Sequence, residues 1–104
     1  MRWWRRRRRR RKVGYPRVRF EVVGDTLVPR EWAAAGRAGP LEWSAHLERI
    51  AEGVAWTLDV SGTLVGSELR SGRAANQYAA ADECKVALRG IIDEHNAFAD
   101  LADG

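Results

Sequence analysis

The sequence has few cysteines, no long apolar run and no apolar signal segment, and each of these absences excludes a structural feature. Cys84 is the only cysteine among 104 residues, so no intramolecular disulfide can staple the fold. No apolar run approaches the roughly 20 residues that a transmembrane helix needs. The basic start is followed by residues 13–17, Val-Gly-Tyr-Pro-Arg, which are not the apolar core of a secretory signal. We therefore expect a cytoplasmic protein without a transmembrane segment.

The chain also lacks the residue patterns that carry catalysis. With one cysteine and two histidines, a metal site of three or four ligands would need Asp or Glu, and no HExxH-like spacing is present. Cys84 and His95 share a helix face, but about 16.5 Å of helical rise separates them, too far for a thiol–imidazole pair. Residues 36–39, Gly-Arg-Ala-Gly, lack the Lys-Ser/Thr of a P-loop. We therefore expect that this protein is not an enzyme, and that it has no catalytic residue, metal, cofactor or small-molecule substrate.

What the chain does have is a strong segregation of charge. The formal net charge is +4, but residues 1–12 carry nine basic and no acidic side chains, whereas residues 13–104 carry nine basic and fourteen acidic ones. This division predicts a disordered Arg/Trp-rich tail over 1–12 and a single α+β domain over 13–104. A polyanion should meet the tail and not the domain.

The tail combines two kinds of side chain that bind nucleic acid. Arginine forks bind phosphate in a bidentate manner, and tryptophan rings stack on unpaired bases. The sequence therefore predicts a non-enzymatic accessory protein whose tail engages RNA or DNA non-specifically. The predicted contact residues are Trp3, Trp4, Arg5, Arg6, Arg7, Arg8, Arg9, Arg10, Arg11 and Lys12.

The composition of the tail is also compatible with roles that involve no nucleic acid. The same residues suit an anionic membrane surface, and a basic tail can bind the acidic domain of its own chain. An arginine-rich extension also follows from a GC-rich gene or from an upstream start codon.

Alternation of apolar and polar residues predicts strands in the middle of the chain. Leu41, Trp43, Ala45 and Leu47 alternate with polar residues, and so do Val54, Trp56, Leu58 and Val60. A loop over 50–53 would pair 47 with 56, 45 with 58 and 43 with 60. A turn at Ser61-Gly62 would pair 58 with 65 and 54 with 69, which places Val65 and Leu69 on the face of Trp56. A helix over 41–49 is the rival interpretation, because Gly39-Pro40 is able to start one.

The flanking segments complete the predicted architecture. Residues 18–22 alternate like a strand, Gly24-Asp25 indicates a turn before a short segment at 26–28, and the Ala-rich residues 32–39 indicate a short helical turn. Apolar residues from Tyr78 to Ala102 recur at helical spacing, with Asn76 as N-cap and Gly90 as a weak point. We expect an antiparallel β-meander of three to five strands packed on one long C-terminal helix.

The outer face of this sheet is the second candidate site. Polar strand positions should project away from the helix, and they include Glu42, His46, Glu48, Asp59 and Glu68. A protein partner could bind this acidic face or a free strand edge. In this alternative the chain is an interaction module, as a phage or mobile element would encode to act on a host protein.

Residues 54–92 contain a Trp-bearing strand, Gly62, a second strand, Tyr78 and a helix with the pair Ile91-Ile92. This order resembles the repeat of the YegP-like family. Ser61 stands where that family usually has Asn, and Ala79 where it has a capping Ser. The resemblance implies a ββα unit and supplies no catalytic residue.

Overall fold

The structure, a computed structural model, describes residues 12–103. The elements are β1 (Glu21–Val22), β2 (Glu31–Ala38), β3 (Leu41–Ile50), β4 (Gly53–Thr63), β5 (Gly66–Ala74) and α1 (Gln77–Asp103). The strands form one antiparallel sheet in the order β1-β2-β3-β4-β5. The predicted class, a β-meander packed on one C-terminal helix, is confirmed. The predicted disordered tail lies outside the described residues, except for Lys12.

The β3–β4 hairpin has the predicted register. Leu47 pairs with Trp56, Ala45 with Leu58 and Trp43 with Val60, so residues 41–49 are a strand and not a helix. All of these side chains are buried on the face that α1 covers, called here the inner face. The opposite, outer face carries the polar residues of both strands, because successive side chains alternate between faces.

The predicted register of the next hairpin is wrong. Strand β4 continues through Ser61 and Gly62, and the turn lies at Leu64-Val65. Gly62 adopts a φ of 86° at a break in the β4–β5 register, close to Pro40 O, so it forms a bulge and not a turn. Leu58 therefore faces Arg70 and not residue 65.

This shift of five residues is odd, so it inverts the faces of β5. Leu69 pairs with Asp59 and is 68% exposed, and Val65 lies exposed in the turn; the prediction that both share a face with Trp56 is wrong. Glu68 pairs with Val60 and lies on the inner face. Its predicted place on the outer face is wrong for the same reason.

The Ala-rich segment predicted as a helical turn is strand β2. Trp32 and Ala34 are buried on the inner face and alternate with half-buried or exposed neighbours. Alanine favours helices intrinsically, but pairing of the whole segment with β3 overrides this preference. Gly36 lies opposite Trp43, where a Cβ would stand 2.9 Å from the indole ring.

The C-terminal helix is confirmed together with its N-cap. Asn76 Oδ1 accepts a hydrogen bond from Ala79 N at 2.9 Å, which satisfies one of the free amides of the first turn. Five residues of its sheet-facing side are buried: Ala80, Cys84, Leu88, Ile91 and Ile92. Tyr78, predicted on this side, is exposed.

Residues 12–20 form no regular element, and only the last two residues of the strand predicted at 18–22 are paired. Val13, Val18 and Phe20 nevertheless pack against the buried core, which explains their alternation. We call residues 12–20 the strap. The chain bends at Gly24, and Leu27 N donates to Asp25 Oδ1 at 2.8 Å, but residues 26–28 are not a strand and belong to the loop that joins β1 to β2.

Candidate nucleic-acid interface

The strap runs alongside α1 in the opposite direction, and the Asn96 side chain bonds to its main chain. Asn96 Oδ1 accepts a hydrogen bond from Val13 N at 2.8 Å, and Asn96 Nδ2 donates to Val13 O at 3.0 Å. An amide side chain satisfies both polar groups of one residue in this way, because it carries a donor and an acceptor side by side. The strap is thereby aligned with the C-terminal half of the helix.

Tyr15 provides a second attachment further along the strap. Its hydroxyl donates to Asp93 Oδ1 at 2.6 Å, and the guanidinium carbon of Arg89 lies 5.2 Å from the ring centroid. The hydrogen bond to Asp93 is the largest cause that raises the pKa of Tyr15, while Arg89 acts in the opposite direction. The contact holds the Arg89 side chain against the strap through a cation–π interaction.

Lys12 marks the point where the arginine run joins the described part of the chain. Its Nζ lies 3.6 Å from Asp100 Oδ2, and both side chains are largely exposed. Such a surface ion pair contributes at most about 1 kcal/mol. The ion pair places Lys12 next to the C-terminal part of α1.

Beyond Tyr15 the strap and the helix enclose a shallow basic groove of about 220 Å³. We use the name basic groove for this site, which is lined by Pro16, Arg17, Val18, Lys85, Leu88 and Arg89. Three of these six residues are cationic and none is acidic. The groove can therefore hold an anion such as a phosphate by charge attraction and guanidinium hydrogen bonds.

Of the ten residues predicted to bind nucleic acid, only Lys12 is described by the structure. Trp3, Trp4, Arg5, Arg6, Arg7, Arg8, Arg9, Arg10 and Arg11 lie outside the described residues. Sequence reasoning missed Arg17, Lys85 and Arg89. The four-residue spacing of Lys85 and Arg89 places both on one side of a helix, but nothing local joins them to Arg17.

Four of the five residues of the second candidate site lie on one face of the sheet. Glu42, His46, Glu48 and Asp59 lie on the outer face, which no other described element covers. Glu42 is paired with Arg37, and His46 Nε2 lies 3.3 Å from Glu31 Oε2. Glu68 is separated from this group, because it lies on the inner face. The outer face therefore carries acidic residues that are partly neutralised.

The thiol of Cys84 is buried in the core, and desolvation raises its pKa to about 11. A thiol with so high a pKa is a poor nucleophile at neutral pH. His95 lies half-buried on the same helix. Within the part of the chain that the structure describes, no three His, Cys, Asp or Glu side chains are grouped as metal ligands would be.

No stretch of the described helix is both long enough and apolar enough to cross a bilayer. Comparison of the chain with protein-family models, with curated proteins and with solved structures finds no match in any of the three. The resemblance of residues 54–92 to the YegP-like repeat therefore stays a prediction.

Proposed function

We propose that this chain is a non-enzymatic accessory protein that binds RNA or DNA non-specifically through residues 1–12, with the basic groove as a second contact. The observation that carries the proposal is the arrangement of cations along the strap. Lys12, at the end of the arginine run, and Arg17, beside Lys85 and Arg89, belong to one extended segment. A nucleic-acid strand that contacts Lys12 can continue along the strap to Arg17, Lys85 and Arg89.

Electrostatics supports a contact with the backbone of the nucleic acid and not with base edges. Residues 2–11 carry eight arginines, and phosphate contacts of this kind carry no sequence information. Each phosphate neutralised should contribute about −0.7 to −0.9 to the slope of log affinity against log salt. We expect a steep salt dependence and little preference among sequences.

The first test is a fluorescence anisotropy titration of labelled single-stranded and double-stranded oligonucleotides over a series of salt concentrations. Deletion of residues 2–11 should abolish binding at about 150 mM salt, where phosphate contacts are already partly screened, while Lys12 and the strap stay in place. Undiminished affinity of the truncated chain would refute the proposal. Binding of the full chain to anionic vesicles, with no binding to oligonucleotides, would assign the tail to a membrane surface.

The basic groove is tested by neutralising its three cations. The triple substitution Arg17→Gln, Lys85→Gln, Arg89→Gln should reduce the salt slope by about 2 to 3, which corresponds to three phosphate contacts. The matched control removes three exposed cations elsewhere: Arg30→Gln, Arg37→Gln, Arg73→Gln. Equal losses in the two variants would show that net charge matters and the groove does not.

A second candidate function uses the outer face. The centre of this face consists of small residues, among them Ala33, Ala35, Ser44 and Thr57, on paired positions of neighbouring strands. Arg17, Arg19 and Glu21 border these small residues in an open concavity of about 490 Å³. A concave surface with small side chains suits contact with a folded protein. The charge reversals Glu42→Lys, Glu48→Lys and Asp59→Lys should then release a protein captured from nuclease-treated lysate, whereas deletion of residues 2–11 should not.

A further inference from the structure

Strand β5 forms one edge of the sheet, and its outward hydrogen-bonding groups can be assigned from the register. Arg49 N donates to Arg30 O at 2.8 Å, so odd-numbered residues of β3 turn their amide and carbonyl toward β2. In antiparallel strands these directions alternate from residue to residue. Even-numbered residues of β3 therefore turn toward β4.

The same alternation extends to β5. His46 pairs with Thr57, so odd-numbered residues of β4 turn toward β3 and even-numbered ones toward β5. Leu58 in turn pairs with Arg70, so even-numbered residues of β5 are bonded to β4. The residues whose amide and carbonyl point away from the sheet are Ser67, Leu69, Ser71 and Arg73.

This edge has the properties of a surface that pairs with another strand. Nine residues long and mostly exposed, it has no partner strand on this side among the described residues. Exposed edges of this length are templates for strand addition. Leu69, next to the central residue of this strand, is 68% exposed, and the exposed side chains of Leu64, Val65 and Phe98 lie near the start of the strand.

We propose that a second copy of this chain covers the edge, with the two β5 strands antiparallel about a two-fold axis at Leu69. Leu69 then pairs with its own counterpart, and the main chains exchange two hydrogen bonds there. These bonds replace the one that Leu69 O accepts from Arg70 Nη1 at 3.1 Å within a single copy. Ser67 lies opposite the second copy's Ser71, which is also a hydrogen-bonded pair. Two five-stranded sheets join into one continuous sheet with both helices on the same side.

Charge selects this register. A two-fold axis at Leu69 places Glu68 opposite Arg70 of the other copy, and it does so twice. An axis at Arg70 places two arginines opposite each other, which destabilises a strand pair. An axis at Ser71 leaves Glu68 opposite Ala74.

Glu68 and Arg70 also lie close to each other within one copy. Glu68 and Arg70 lie on the inner face, with Oε1 and Nη2 3.7 Å apart. In the dimer their positions are non-hydrogen-bonded pairs, whose Cα atoms approach to about 4.5 Å. The four side chains then form one alternating cluster across the axis.

The test is sedimentation equilibrium of the full, nuclease-treated chain over a range of concentrations. We expect a reversible monomer–dimer equilibrium that Glu68→Arg or Arg70→Glu weakens at least tenfold, because each places like charges opposite each other. The double substitution Glu68→Arg, Arg70→Glu should restore dimerisation. The matched control Arg30→Glu, which changes net charge as Arg70→Glu does, should leave it unchanged.

A second measurement does not depend on charge. The Leu69→Cys variant should cross-link on oxidation, because the Cα atoms of a hydrogen-bonded pair lie about 5.5 Å apart. The control Leu27→Cys, 90% exposed in a loop, should not. A chain that stays monomeric at every concentration overturns the proposal, even if the edge binds an unrelated extended peptide. A dimer that is indifferent to these substitutions overturns it as well.

Discussion

The indole of Trp56 occupies the space where a side chain at Gly72 would stand. The two residues face each other across β4 and β5, and a Cβ at Gly72 would lie 2.6 Å from Trp56 Nε1. The same nitrogen donates to Glu83 Oε1 at 3.2 Å. Gly36 and Trp43 repeat this arrangement between β2 and β3, so each of these two indole rings covers a neighbouring glycine on the inner face.

Gly72→Ala should therefore destabilise the fold by about 1 to 3 kcal/mol, the usual cost of excess volume in a packed core. The Trp56 ring would have to move, and with it the hydrogen bond to Glu83. The free energy of unfolding in urea and the fluorescence of the folded state measure both effects. Gly14→Ala, where nothing lies within 4 Å, is the control, and equal stability of the two variants would contradict the packing argument.

Replacement of glycine by alanine at position 90 should stabilise the fold and not destabilise it. This residue lies inside α1, and a Cβ there would meet nothing within 4 Å. Alanine removes the excess conformational freedom of glycine in a helix, which is worth about 1 kcal/mol. Gly90→Ala should raise the midpoint of urea unfolding without a change in the slope. A lower midpoint would show that the helix needs flexibility at this position.

How far the fold could be predicted depended on whether the decisive contact was local. The β3–β4 register follows from two alternating runs that agree on both sides of a short turn, and it is confirmed. The β4–β5 register does not follow from the local sequence. Gly62 forms a β-bulge next to Pro40, which is distant in sequence. An isolated Ser-Gly pair cannot distinguish a bulge from a turn.

The basic groove illustrates the same limit at the candidate site. Arg17 alternates with Val18 as it would in a strand, and only the packing of the strap against α1 brings it to Lys85 and Arg89. The acidic outer face was easier to predict, since Glu42, Glu48 and Asp59 follow from the confirmed hairpin. Glu68 was misplaced because its position depended on the second turn.

Asn96 should be the main attachment of the strap. Asn96→Ala removes both hydrogen bonds to Val13 and leaves two main-chain groups unpaired in a half-buried place, at a cost of about 1 to 3 kcal/mol. Amide hydrogen exchange should then increase over residues 13–20 more than in the sheet. Asn96→Asp, which keeps the acceptor, should show a smaller effect. Unchanged exchange in Asn96→Ala would show that Val18 and Phe20 hold the strap without it.

Alkaline pH should weaken the fold through Cys84. The thiol has a pKa of about 11 in the folded chain against a reference value of 9.0, because burial disfavours the thiolate. Below about pH 9 both states keep the proton, so stability is complete there. Between about pH 9 and 11 only the unfolded chain releases it, and the free energy of unfolding should fall with rising pH, by about 1 to 3 kcal/mol in all.

The measurement is urea unfolding at about pH 8 and about pH 10.5, on either side of the reference thiol pKa, with Cys84→Ala as the comparison. Cys84→Ala is less stable at both pH values because it leaves a cavity. Its free energy of unfolding should nevertheless fall less between the lower and the higher pH than that of the parent chain. The pKa of Tyr15 is also raised above its ordinary value of 10.0, chiefly by the hydrogen bond to Asp93, so Tyr15→Phe serves as the control that removes its contribution. If Cys84→Ala loses as much stability as the parent between the lower and the higher pH, the buried thiol is not the group responsible.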